Sequence, residues 1–185
     1  MPECRGKIAV FCSSRIPQGH PAYKEARLVG RLLAEAGFTV CSGGYQGLME
    51  AVSHGAREAG GHTIGVTLSA FDPRPANRWI AEEIKMPSYL SRIQCLIDLA
   101  DGYLALLGGM GTLTEMSATW SLLQIKAIPR RPCVLLGANW ARLMEAFQRE
   151  LIIWEADYEL WQLAGTPAQA VALLTKASPH VGEQR

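Results

Sequence analysis

Short apolar runs alternate along the chain with segments of helical period, and three of the runs are apolar almost throughout. Glycine or proline stands where several of the segments begin or end. Together these features predict an α/β fold: a three-layer, Rossmann-like, doubly wound and mainly parallel sheet with helices on both faces.

The elements follow in order. Lys7–Ser13 reads as a strand, Ala22–Ala36 as a helix entered near Pro21 and stopped at Gly37, and Thr39–Cys41 as a strand. Gly47–Ala59 is a helix ended by Gly60-Gly61, and Thr63–Thr67 is a strand. Ser69–Arg78 breaks the alternation with two prolines and two arginines, a composition that fits either a functional loop or a plain surface connection. Beyond it lie a strand at Ile80–Lys85, a helix at Tyr89–Ala100, a strand at Gly102–Leu106 and a helix at Thr112–Ile125. Cys133–Leu136 is a strand and Trp140–Ile152 a helix. The runs Lys7–Ser13, Gly102–Leu106 and Cys133–Leu136 are the nearly continuous apolar ones, as strands covered on both faces should be.

No repeat or shift of composition divides the 185 residues, so 1–185 is expected to form one domain, with 178–185 a frayed polar tail. Lys+Arg 18 against Asp+Glu 17 gives a net charge of +1, which supplies no basic field for nucleic acid. The five cysteines are odd in number and contain no C-x-x-C pair, so they read as buried hydrophobes of a reducing compartment rather than a disulfide frame or zinc site. The N-terminus lacks a signal h-region, and no run approaches the ~20 apolar residues of a membrane span. A cytoplasmic protein is expected.

Ligands of open α/β sheets sit at the carboxyl ends of strands, and two strand-to-helix turns are rich in glycine there. The first runs Ser42-Gly43-Gly44-Tyr45-Gln46-Gly47, the second Leu107-Gly108-Gly109-Met110-Gly111-Thr112. Both are candidate phosphate cradles, because glycine admits an anion close to the backbone and a helix N-terminus presents free N–H groups to it. Tight turning and close helix–strand packing would explain either turn as well. Neither carries the Lys-Ser/Thr of a Walker loop or the G-x-G-x-x-G of a dinucleotide fold. Glu115, just inside the helix after the second turn, is the sharpest single residue; Thr112-Leu113-Thr114-Glu115 also fits an S/T-x-x-E capping box.

Gly108-Gly109-Met110-Gly111-Thr112-Leu113-Thr114-Glu115 resembles the P-G-G-x-G-T-x-x-E signature of the LOG ("Lonely guy") family of cytokinin riboside 5′-monophosphate phosphoribohydrolases, long labelled lysine decarboxylases. Gly43-Gly44-Tyr45-Gln46-Gly47-Leu48-Met49 is similar to the family's G-G-x-x-G-L-M turn, and Arg92 precedes Glu115 by the family's 23 residues (115 − 92). The resemblance implies a homodimer that needs no cofactor and cleaves the N-glycosidic bond of a purine nucleoside 5′-monophosphate, AMP or an N6-substituted AMP. It implies Arg92 and Glu115 as the catalytic pair, with Gly108, Gly109, Gly111 and Thr112 on the phosphate and Gly43 and Gly44 closing the other side. On the residues alone, Arg92 also fits an exposed ion pair with Asp98 or Glu115.

The sequence departs from the family pattern at Leu107 for proline, Ile93 for lysine and Glu50 for glycine. Loss of the lysine removes a positive charge expected near the phosphate. The alternative reading is a carrier that binds a nucleotide-like ligand without cleaving it, similar to molybdenum cofactor carrier proteins; a third is a purely structural domain. The five lysines show no Schiff-base setting and the four histidines no metal-ligand spacing. Met116, Trp120, Leu123, Trp140, Met144 and Phe147 offer either a dimer face or core packing.

Overall fold

The computed structural model describes residues 5–177; the expected frayed tail, 178–185, lies outside the described residues, as do Cys4 and His180. Among the described residues seven strands form one sheet: β1 (Gly6–Phe11), β2 (Phe38–Ser42), β3 (Thr63–Leu68), β4 (Glu82–Met86), β5 (Gly102–Ala105), β6 (Cys133–Leu136) and β7 (Gln162–Ala164). All neighbours are parallel, in the order β4-β3-β2-β1-β5-β6-β7.

Side chains alternate across each strand, so one strand feeds two cores. Ile8, Val10, Leu104 and Val134 face a cluster closed by α1 (Pro21–Glu35), α2 (Leu48–Glu58) and α7 (Pro167–Ala177). Ala9, Phe11, Tyr103 and Leu135 face the opposite cluster, closed by α3 (Tyr89–Leu99), α4 (Met110–Gln124) and α5 (Ala138–Glu150). This is the doubly wound, three-layer sheet that the alternation predicts, with the central strands buried on both sides.

Two differences from the sequence reading have physical causes. Helix α4 starts at Met110 rather than Thr112, because Gly109 is its N-cap in extended backbone and Leu113 N–H already bonds to the Gly109 carbonyl at 2.9 Å. The short α6 (Glu155–Tyr158), β7 and α7 leave no readable pattern beforehand; a four-residue helix and a three-residue strand are too short to show a period. The six residues weighed for a dimer face belong to the core: Met116, Trp120, Leu123, Trp140 and Met144 are buried, and Phe147 packs against them.

Sheet order reverses between β1 and β5, with β2, β3 and β4 on one side and β6 and β7 on the other. The crevice at that switch point, beyond the carboxyl ends of β1 and β5, is where a ligand of this architecture binds.

Candidate active site

A cleft of about 390 Å³ opens at the switch point, within the range of small-molecule sites. Five segments wall it: Cys12–Arg15 after β1, Tyr45 and Met49 after β2, Phe71 and Arg74 after β3, Tyr89 and Arg92 on α3, and Gly109–Thr112 with Glu115 on α4.

Arg92 and Glu115, placed 23 residues apart in sequence, meet at its floor with relative exposures of 6% and 7%. A reciprocal Ser88–Ser91 capping box starts α3, with Ser91 N–H donating to Ser88 Oγ at 3.1 Å, and sets the helical phase of Arg92. The guanidinium is anchored by Nε donating to the Val66 carbonyl at 2.7 Å, while its Nη1 reaches Glu115 Oε1 only at 3.4 Å. That separation is longer than a well-formed charge-assisted bond, so Glu115 is not locked to its partner. Burial pushes the Glu115 carboxyl up to about 7, and the Arg92 charge opposes the rise. Cys12 stands beside them, its thiol raised well above the ordinary range by burial and by Glu115.

The structure answers two local alternatives left open by the residues, the capping box and the exposed ion pair; Arg92 does pair with Glu115, but buried. Thr112 is the third residue of α4 and Gly109 caps the helix without a side-chain bond, so Glu115 does not close a capping box. Arg92 is buried, and Asp98 instead accepts from Gln94 Nε2 at 2.8 Å. Ile93 lies in the apolar cluster beneath the cleft, not at its wall.

The glycines divide. Gly109 and Gly111 line the cleft with Thr112, where the N–H groups of Met110, Gly111 and Thr112 have no intrahelical acceptor and point outward from the N-terminus of α4. Gly108 stands behind them, its Cα turned toward the Thr112 side chain. Gly43 makes room for the Arg92 guanidinium: a Cβ there would collide with it and with Met49 Sδ. Gly44 has φ of +76° and packs its Cα on Gly65. Residues that pattern reading misses are Arg15, Tyr45, Tyr89 and the loop pair Phe71 and Arg74; the irregular composition of Ser69–Arg78 was the one signal for the last two.

No lysine lines the cleft, so no amine stands there for a Schiff base. Among the described residues no three His, Cys, Asp or Glu side chains gather in a way that could hold a metal ion. No helix among them is long and apolar enough to cross a membrane.

With this geometry in view, the profile of the family described as "Possible lysine decarboxylase" matches residues 49–174. The cytokinin riboside 5′-monophosphate phosphoribohydrolase of Rhodococcoides fascians is 31% identical over 137 residues, covering 71% of this chain and 68% of that protein. A probable cytokinin riboside 5′-monophosphate phosphoribohydrolase of Oryza sativa is 30% identical over 179 residues, covering 92% of this chain and 77% of its own length. The pyrimidine/purine nucleotide 5′-monophosphate nucleosidase of Escherichia coli is 28% identical over 179 residues, covering 88% of this chain and 39% of its own. For the first three curated relatives the matched stretch spans 68%, 63% and 55% of their length. Among solved structures, the molybdenum cofactor binding protein from Rippkaea orientalis superposes with a TM-score of 0.75 at 21% identity, covering 95% of this chain and 98% of that one. The molybdenum cofactor carrier protein from Chlamydomonas reinhardtii gives 0.71 at 22%, covering 92% and 96%. At that identity the likeness shows the fold alone.

Proposed function

The chain belongs to the LOG family, and on that premise we propose that it hydrolyses the N-glycosidic bond of a purine nucleoside 5′-monophosphate, releasing free base and ribose 5-phosphate. The observation that carries the reading is the buried Arg92–Glu115 pair at the floor of a cleft whose wall is an open, glycine-flanked helix N-terminus.

In this reading the 5′-phosphate sits on the N–H groups of Met110, Gly111 and Thr112 and on the Thr112 hydroxyl, with Gly109 leaving the approach open. That seats the sugar above Glu115. As the C1′–N bond breaks, positive charge grows on the ribose ring, and a carboxylate beneath it stabilises that charge far better in a dry site than in water. Water adds its oxygen to C1′, Glu115 accepts the water proton, and the bonding pair leaves with the base, which takes up a proton. Arg92, held by the Val66 carbonyl, keeps Glu115 partly ionised. With the carboxyl near 7, both of its protonation states are populated at neutral pH.

A homodimer and a cytoplasmic setting belong to the same proposal. Exposed Leu90 and Met110, on the helices that flank the cleft, support the former; four unpaired cysteines among the described residues support the latter. Light scattering on the purified protein tests the dimer.

The deciding experiment incubates purified protein with a panel of nucleoside 5′-monophosphates and follows base and ribose 5-phosphate by chromatography. Glu115→Gln is expected to lower turnover about a hundredfold to a thousandfold while nucleotide still binds. Full activity in that variant rejects the mechanism, and intact nucleotide after long incubation with wild type turns the assignment to a carrier.

A further inference from the structure

The loop after β3 holds a cation in a fixed pose over the cleft. Asn77, itself buried, donates from Nδ2 to the Gly44 carbonyl at 3.1 Å and the Tyr45 carbonyl at 2.9 Å, tying the loop to the first glycine turn. Lys85 Nζ holds Asp72 at 2.7 Å from the neighbouring strand. The Phe71 ring meets Tyr45 edge-on at 5.6 Å, and the Arg74 guanidinium lies 5.2 Å from the centre of the same ring. Arg74 Nε donates to Gln46 Oε1 at 2.8 Å, with Nη2 on the same oxygen. Among the described residues Arg74 has no carboxylate partner, and the Nη1 side of its fork is left for a ligand.

The position of this cation along the sheet gives it a part to read. Three strand spacings, about 14 Å, separate the β5 end that leads to the phosphate turn from the β3 end that leads to Arg74. In the nucleotide-binding reading, a ligand with its phosphate on α4 and its ribose over Glu115 would extend its base toward Tyr45, Phe71 and Arg74.

Among Tyr45, Phe71 and Arg74 the hydrogen-bonding character is one-sided. Arginine donates and never accepts. The Tyr45 hydroxyl is used in both directions by Leu68, accepting its N–H at 2.9 Å and donating to its carbonyl at 3.2 Å. The Gln46 oxygen is taken by Arg74 itself, and among the described residues no Asn, Gln, Asp or His side chain lines the cleft. An arginine fork matches adjacent ring-nitrogen and carbonyl acceptors, as on the N7/O6 edge of guanine; the N6 amino group of adenine needs an acceptor, which an arginine does not supply.

We propose that the cleft selects a 6-oxopurine nucleotide over a 6-aminopurine one, with Arg74 as the specificity-determining residue. This rests on the nucleotide-binding reading of the same cleft given above. It also departs from the AMP-type substrate that the family signature alone suggests.

The test measures binding by titration calorimetry, which needs no turnover, with IMP, GMP, AMP and ribose 5-phosphate as probes. Wild type is expected to bind IMP and GMP about tenfold or more tightly than AMP. Arg74→Gln replaces the donor fork with an amide and frees Gln46, so the preference should fall to parity or invert. Ribose 5-phosphate, which has no base, should bind both proteins alike and so confirms that the variant is folded. AMP binding as tightly as IMP, or a preference untouched by Arg74→Gln, overturns the proposal, as does absence of binding by every nucleotide. Base release without the preference rejects this inference alone; the preference without base release rejects only the hydrolase.

Discussion

In the turn after β2 the glycines are packed against protein, whereas in the turn after β5 Gly109 and Gly111 are open to solvent and only Gly108 packs, against Thr112. Ser42 to Tyr45 are buried, and the space a Cβ would need at Gly43 holds the Arg92 guanidinium. Gly108, Gly109 and Gly111 are exposed, and at Gly109 no heavy atom lies within 4 Å of the position a Cβ would take. Two turns of similar composition thus use glycine for opposite ends. One admits the Arg92 side chain of the proposed catalytic pair, and the other leaves a helix N-terminus bare.

Alanine substitutions test that contrast most directly. Gly43→Ala forces Arg92 and Met49 to move and is expected to cost about 1–3 kcal/mol in urea denaturation, with turnover lost as Arg92 leaves the Val66 carbonyl. Gly109→Ala has room and an extended backbone with φ of −115°, so its stability should stay within about 0.5 kcal/mol while phosphate affinity falls. Equal destabilisation by both would erase the distinction.

A second, somewhat smaller effect comes from the carboxyl beside the open turn. With its folded value near 7 against 4.5 in the unfolded chain, Glu115 holds a proton in the folded state across that interval after the unfolded chain has released it. Its contribution to stability is therefore complete below pH 4.5 and lost as pH rises through 7. Denaturation at pH 5 and pH 8 should show wild type losing on the order of 1–3 kcal/mol more than Glu115→Gln. Turnover, which needs the ionised form, should climb through the same interval. Parallel pH slopes for the two proteins would show that burial does not raise this carboxyl.

The smallest expected effect is at the proposed phosphate wall. Thr112→Val keeps the shape of the buried side chain but removes one hydroxyl, and about 1 kcal/mol, or a fivefold loss in ribose 5-phosphate affinity, should follow. No change would assign phosphate binding to the backbone N–H groups alone.

Much of the fold was legible beforehand because β1, β5 and β6 announce themselves as apolar runs and α1 to α5 as periodic segments. Bounds shifted by one or two residues where backbone caps rather than side chains end an element, as at Gly109. Of the site, Arg92 and Glu115 were legible through their spacing within a familiar signature, and Gly109, Gly111 and Thr112 through their place at a strand end. Phe71, Arg74 and Tyr45 were not, since a loop has no period, and what it covers depends on the strand it follows in the sheet rather than in the chain.

The sequence by itself determined the succession of strands and helices, the two glycine turns at strand ends and the 23-residue interval from Arg92 to Glu115. All can be read along the chain without knowing which residues meet in space. Only the tertiary structure decided which turn is open, that Arg92 is buried and anchored by Val66, that Ile93 faces the core, and that Arg74 lies over Tyr45. These depend on parallel crossovers that bring the ends of β1, β2, β3 and β5 together, and on which atoms fill the space left by each missing side chain.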